Sequence, residues 1–356
     1  MKKKKLGNTE LETAPIIFGG NVFGWTLDEK ESFKMLDELL DKGYDTIDTA
    51  DVYSRWAEGN SGGESETILG KWMKERGVRD RISLHTKVGS DMGQGHKDIS
   101  KSYILSAVED SLKRLQTDYI DLYYTHWDDD KTPVEETLEA YQKLIDQGKV
   151  RYIGASNLSA ERLQDSLDAA KAKDLPKYQV FQQQYNLMER DDFEGEIKTI
   201  CTANNVGVTT YFSLASGFLT GKYRKEDDFE GKKRKSFVQK YLNRRGLEVL
   251  GVLDEISEAH QISNAGVALA WIMNRPGVTA PIASATKSSH LKAFDVSNHS
   301  YGVSAFAVSA FLNDMWTSSE VSTYSDLAKN GRSGLGHITV IAAGNDGANA
   351  QGEIKD

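Results

Sequence analysis

The sequence is poor in cysteine and proline, and it holds no long apolar run. Of its 356 residues one is cysteine, Cys201, and five are proline. A single thiol closes no intrachain disulfide and builds no multi-cysteine zinc site. That usage fits a reducing compartment, and a cytoplasmic protein is expected. No stretch approaches the roughly 18 apolar residues that a membrane span needs. Basic residues are outnumbered as well: 44 Lys and Arg against 53 Asp and Glu give a net charge of -9. That balance speaks against a nucleic-acid or anionic-membrane partner, which would need a basic face. Lys2, Lys3, Lys4 and Lys5 do form a basic run. A signal peptide would continue with an apolar stretch, and Leu6-Gly7-Asn8-Thr9 is not one, so a solvated chain end is expected there.

What is present is a regular alternation. Hydrophobic residues make up 39% of the chain, enough for a sizeable core. After a hairpin turning at Gly7-Asn8, eight short runs rich in Ile, Val, Tyr and Thr read as strands: 15–19, 44–49, 82–88, 120–126, 152–156, 180–186, 206–212 and 279–285. Amphipathic helices lie between them. Residues 29–42 place Phe33, Leu36, Leu39 and Leu40 on one face and stop at Gly43. Residues 102–115 repeat the pattern with Ile104, Val108, Leu112 and Leu115. Pro133 and Ser159 open two more. Alternating βα units imply a parallel sheet, and eight of them suit a closed α/β (β/α)8 TIM barrel. The alternative, an open doubly-wound sheet, would want a glycine fingerprint after its first strand. Gly19-Gly20-Asn21-Val22-Phe23-Gly24 matches it poorly, and Gly59, Gly62 and Gly63 follow no strand directly.

A barrel of this kind carries its active site at the C-terminal ends of its strands. Those ends hold Asp48, with Tyr53 close behind, then Lys87 and His126. The set has a chemical logic. A lysine ammonium beside a phenol lowers the phenol's pKa, and a carboxylate keeps that lysine charged despite burial. A histidine can hydrogen-bond a substrate oxygen. Together they form a proton donor facing a developing alkoxide. No side chain supplies a hydride, so a nicotinamide cofactor is implied. Taken singly, each residue has an ordinary structural reading: a loop-capping carboxylate, a rim aromatic, a solvated lysine, a core histidine. At the ends of three consecutive strands, the joint reading as a site is preferred. Glu64 and Glu66, with the run Asp128-Asp129-Asp130, raise a glycosidase-like carboxylate pair. The acidic run after His126 is read instead as a solvated loop, and no metal-ligand spacing accompanies these carboxylates.

These residues resemble the catalytic tetrad of the aldo-keto reductase family: Asp48-Thr49-Ala50-Asp51-Val52-Tyr53, Lys87 in Thr86-Lys87-Val88, and His126 in Tyr124-Thr125-His126-Trp127. Further blocks that look like the family follow in order, at Gly154-Ala155-Ser156-Asn157, Gln182-Gln183-Gln184-Tyr185-Asn186, residues 211–223 and residues 280–286. The resemblance runs to about Ala293, within a reductase domain of residues 1–294, and is closest to the bacterial branch of general stress and vegetative reductases. It implies NAD(P)H-dependent reduction of a small carbonyl substrate, with Tyr53 as general acid helped by Asp48, Lys87 and His126. It implies that Ser156, Asn157 and Gln182 hold the nicotinamide carboxamide and that Tyr211 stacks on the ring. Ser213, Leu214 and Ser216 would line the pyrophosphate, with Phe212 and Ala215 in the same run. Gly20 and Asn21 would lie near the nicotinamide end, and Ser284, Thr286, Lys287 and His290 near the adenosine 2′-phosphate. The cofactor is then NADP(H), with NAD(H) as the alternative, since Ala293 and Phe294 stand where the family has an acidic residue and an Asn. Some members serve as redox-sensing partners of membrane channels, a second reading with little turnover. The oligomeric state is not legible.

From about residue 295 the family pattern stops. Residues 295–356, with Ile341-Ala342-Ala343-Gly344-Asn345-Asp346-Gly347, resemble an internal piece of a subtilisin/kexin-type serine protease. Asn345 would match an oxyanion donor there, but no nucleophile or base block accompanies it. A non-catalytic extension is expected, and a serine protease fragment is the least favoured function.

Overall fold

The computed structural model describes residues 2–294; the C-terminal segment, on which the expected resemblance to a protease piece and Asn345 fall, lies outside the described residues. A short antiparallel hairpin, β1 (Lys4–Lys5) and β2 (Glu12–Thr13), comes first. Gly7, at φ 59°, sits in its loop, where a Cβ would come within 2.1 Å of the Gln179 carbonyl oxygen. Only glycine fits that approach in that left-handed conformation.

Eight parallel strands then close a barrel: β3 (Ile17–Gly19), β4 (Thr46–Asp48), β5 (Ser83–Val88), β6 (Ile120–Thr125), β7 (Val150–Ser156), β8 (Val180–Gln184), β9 (Gly207–Tyr211) and β10 (Ala280–Ala283). Neighbours follow sequence order, and β10 pairs with β3 to complete the ring. This is the (β/α)8 barrel that the alternation predicts. All eight expected strands are present. Most are shorter than their apolar runs, because the runs extend past the paired region into the loops.

The helices are α1 (Glu29–Asp41), α2 (Glu64–Arg76), α3 (Lys101–Leu115), α4 (Val134–Asp146), α5 (Ala160–Lys173), α6 (Asp191–Glu194), α7 (Glu196–Ala203), α8 (Lys235–Val238), α9 (Arg244–His260) and α10 (Asn264–Met273). Their starts are chemically marked. Asp28 and Glu31 form a capping box at α1, and the hydroxyls of Ser100, Ser159 and Ser263 accept N–H bonds at α3, α5 and α10. Pro133 is the last residue before α4, and Gly43, at φ 83°, follows the end of α1.

Two apolar layers result. The larger packs the helices against the outside of the barrel. The smaller fills its lower interior with Ile17, Leu122, Tyr124, Val180, Ala280 and Ile282, capped by Leu6 and Leu11 of the hairpin. Strand alternation sorts side chains between these layers. Leu122 and Tyr124 point inward, and they pair with His85 and Lys87, so those two residues also face the interior. The strands thus deliver Lys87 above a closed apolar floor.

His85 lies fully buried beneath that lysine, its Nδ1 without a hydrogen-bond partner among the described residues. Burial, with a smaller push from Lys87, lowers its pKa to about 4 against the pull of Asp48 and Asp121. The unfolded chain therefore takes up a proton that the folded one refuses. Stability is expected to fall as pH drops from the ordinary histidine value of about 6.5 toward 4, by about 3 kcal/mol from this group alone. Urea unfolding of the protein and of His85→Gln at pH 7 and pH 4.5 checks this. The variant should lose distinctly less stability on acidification; equal losses would mean that His85 is not the group responsible.

Candidate active site

The four residues singled out by sequence meet at the mouth of the barrel. Asp48 ends β4, Lys87 lies on β5, and His126 directly follows β6, its N–H bonded to the Val88 carbonyl at 2.8 Å. Tyr53 sits in the turn after β4, and its backbone N–H is held by the Ala50 carbonyl at 3.2 Å. Lys87 is the hub. Its Nζ donates to Asp48 Oδ1 at 2.5 Å, to the Thr49 carbonyl at 2.7 Å and to Tyr53 Oη at 3.0 Å. An ammonium has three donors, so all are used. Tyr53 Oη accepts from one of them, and the Asp48 carboxylate is close enough to interact with the phenol as well.

The electrostatics divide the roles. Burial alone would lower the Lys87 ammonium, but Asp48 and Tyr53 outweigh it and hold Lys87 above its ordinary value, so it stays charged. For Tyr53, burial is the largest influence and raises the phenol above its ordinary value; Lys87 pulls it down by charge and hydrogen bond, and Asp48 pushes it up. The sequence argument expected the lysine to set the direction. It does act downward, but burial of the phenol outweighs it. The consequence is a fully protonated donor at neutral pH. His126 is driven well below its ordinary value by burial, then by Lys87 and Lys97, and is a neutral imidazole.

A second network extends from the first. Gln182 Nε2 donates to Asp48 Oδ2 at 2.8 Å, and Ser156 Oγ donates to the Gln182 carbonyl at 2.9 Å. Asn157 Nδ2 donates to Ser156 Oγ and to the His126 carbonyl, both at 3.0 Å, while Tyr211 Oη donates to Asn157 Oδ1 at 2.6 Å. The residues assigned by resemblance to the carboxamide and ring are thus one hydrogen-bonded unit with the tetrad. Asn157 (φ 54°), Phe212 (φ 49°), Ala215 (φ 48°) and Ser216 (φ 57°) are all left-handed. Non-glycine residues held there concentrate at functional sites, and runs mixing the two hands can form anion-binding nests of N–H groups.

One cleft of about 1320 Å³ joins these groups. It exceeds the roughly 300–1,000 Å³ of an ordinary small-ligand pocket, and has room for a dinucleotide beside a small substrate. Asn21, Asp48, Tyr53, His126, Ser156, Asn157, Gln182, Tyr211, Phe212, Ser213, Leu214, Ser216, Ser284, Thr286, Lys287 and His290 line it. Gly20 and Ala215 do not; both are buried just behind it. Ser284 Oγ donates to the Gly19 carbonyl at 2.7 Å and lies 2.7 Å from Asn21 Oδ1, tying the two ends of the barrel seam together.

Several lining residues escaped the sequence reading. Trp25, Trp56, Trp127 and Phe237 form an aromatic rim, and the last three are exposed. Lys222, Lys232 and Arg234 line the cleft too, beside the expected Lys287, and none of the four makes an ion pair among the described residues. Burial lowers Lys222, with Arg234 and Lys232 adding to it, as cations crowded without an anion must be. Arg234 rests over the Trp25 ring at 5.1 Å, and Lys233 Nζ donates to the Trp25 carbonyl at 2.9 Å. Lys222, Lys232, Lys233 and Arg234 come from the connection between β9 and α9, which has no hydrophobic period, whereas Lys287 follows β10. The carboxylates have structural partners. Glu66 is buried, bonded to Arg114 at 2.7 Å and Thr86 at 2.5 Å, and Asp129 caps its own loop through Thr132. Among the described residues no carboxylate–histidine–cysteine group could hold a metal, and no helix is long and apolar enough to cross a membrane.

Comparison with known proteins agrees with this geometry. The family model described as the aldo/keto reductase family matches residues 15–298. The aldo-keto reductase YhdN of Bacillus subtilis is 35% identical over 304 residues, covering 82% of this chain and 87% of its own. A probable voltage-gated potassium channel subunit beta of Arabidopsis thaliana is 34% identical over 308 residues, covering 83% and 92%. An oxidoreductase of Bacillus subtilis, YrpG, is 36% identical over 291 residues, covering 79% and 86%.

Proposed function

The chain belongs to the aldo/keto reductase family, and on that premise we propose that it reduces aldehydes or ketones to alcohols, reversibly, with Tyr53 as the proton donor. The observation that carries the reading is the saturated Lys87 ammonium, which donates to Tyr53 Oη and sets a fixed cation beside a protonated phenol on the cavity wall. His126, neutral and on the cavity wall, is placed to hydrogen-bond the same oxygen. Charge developing on that oxygen would be met by a donor and a nearby fixed cation. The aromatic rim favours substrates with an apolar body.

The hydride would come from a nicotinamide cofactor. The chemistry of the donor set fits one. Ser156, Asn157 and Gln182 offer amide and hydroxyl groups to the cleft, Tyr211 offers a ring, and Lys222, Arg234 and Lys287, without an ion-pair partner among the described residues, suit phosphates. NADP(H) is the preferred partner. Lys287→Ala should raise KM for NADPH about tenfold, as loss of a charged hydrogen bond does, and leave KM for NADH within about twofold. The difference should shrink in high salt. Equal effects on both cofactors would place Lys287 away from the 2′-phosphate.

The likeness to proteins named as channel subunits supports a second reading, a cofactor-binding module with little turnover. Stopped turnover assays with NADPH and a panel of small aldehydes and ketones separate the two. Steady consumption supports the reductase; tight NADPH binding without consumption selects the module.

A further inference from the structure

Ser90 lies just beyond β5, three residues after Lys87, and is nearly fully buried. Its hydroxyl oxygen is 3.0 Å from Nδ1 of His126. The tautomer decides who donates. Among the described residues Ser90 Oγ makes no other hydrogen bond. If Nδ1 carried the proton, the Ser90 hydrogen would have no acceptor there. If Ser90 donates, both groups are satisfied, and the neutral imidazole keeps its proton on Nε2. No hydrogen bond engages Nε2 among the described residues, and His126 lines the cavity beside Tyr53, with the two rings 6.1 Å apart.

The loop holds Ser90 in place. The Ser90 carbonyl accepts from Gln94 Nε2 at 3.2 Å, and Gly89, at φ 108°, makes the turn that brings it there. On the far side, Asn157 Nδ2 grips the His126 carbonyl, fixing the backbone of the same residue. The imidazole is thus located by its main chain and oriented by one hydroxyl.

We propose that Ser90 is a positioning residue: by donating to Nδ1 it fixes His126 as the Nε2–H tautomer, aiming one N–H into the cavity at the substrate carbonyl oxygen. The kinetic part of this rests on the reductase reading given above; the tautomer does not. A histidine in the other tautomer would present a lone pair to the carbonyl, and two acceptors repel.

The first test is on the full-length protein without substrate. Nitrogen-15 NMR of the histidine rings, with His126 identified by its loss in His126→Asn, should show a protonated Nε2 and a bare Nδ1. In Ser90→Ala the His126 signals should move toward a tautomer mixture, and Ser90→Thr, which keeps the hydroxyl, should restore them. Under turnover Ser90→Ala should lose about tenfold or more in kcat with KM within about twofold, the size expected when an orienting partner of a histidine is lost, and Ser90→Thr should recover most of it. A protonated Nδ1 in the unaltered protein would overturn the proposal. So would a Ser90→Ala variant whose His126 signals and kcat are both unchanged. Should the unaltered protein turn nothing over, the reductase reading fails, while the ring nitrogens still decide the tautomer.

Discussion

Tyr53→Phe is expected to lower kcat/KM for carbonyl reduction by about 10²–10⁴-fold, the range over which a positioned proton donor contributes, while NADPH binding and thermal stability stay near those of the parent. The phenol is half-buried, and its oxygen accepts from Lys87, whose other two donors remain on Asp48 and Thr49. Removing the hydroxyl therefore strips one of three partners from a well-held ammonium. The loss should fall on kcat rather than KM, because the donated proton matters most as charge grows on the substrate oxygen. Parallel kinetics and fluorescence titration with NADPH read both quantities. A variant that keeps more than about a tenth of parental kcat/KM would remove Tyr53 from the acid's role.

Lys87→Met should damage both activity and fold. Asp48 would then be a buried carboxylate whose remaining partner is Gln182. Breaking a buried pair from one side costs about 3–5 kcal/mol, because the other charge is left uncompensated. Activity should fall at least as far as in Tyr53→Phe, since the phenol loses the cation that steadies it. Adding Asp48→Asn to Lys87→Met removes the stranded charge. The double variant should regain most of the stability and none of the activity, a coupling that a thermodynamic cycle isolates. Urea unfolding of the four proteins gives the stabilities. If Lys87→Met alone is as stable as the parent, the ion pair does not hold the mouth of the barrel together.

The barrel was legible because each of its levels repeats. Eight apolar runs and the helices between them carry two different periods, and Pro133 and Ser159 mark two helix starts in the sequence itself. The tetrad was legible for the same reason, since each member stands at or just past a strand end. Less periodic features were not. Ser90 looks like any loop serine until His126, 36 residues away, is folded against it. Arg234 acquires meaning only when the β9–α9 connection lays it over Trp25, and Lys222 only when that connection crowds it against Arg234 and Lys232. The direction of the Tyr53 shift was misjudged because burial is a property of packing, and a spacing argument counts neighbouring charges but not the water they displace.

The most direct measurement follows a labelled hydride. The protein, with an aromatic aldehyde as substrate, is supplied with NADPH deuterated at one or the other C4 position of the nicotinamide, and the alcohol is analysed by mass spectrometry. A reductase with one fixed cofactor orientation transfers deuterium to the carbinol carbon from one isomer and not from the other, and Tyr53→Phe abolishes nearly all of it. Alcohol lacking deuterium from both isomers, or cofactor that binds tightly and yields no alcohol at all, would contradict the proposed reaction.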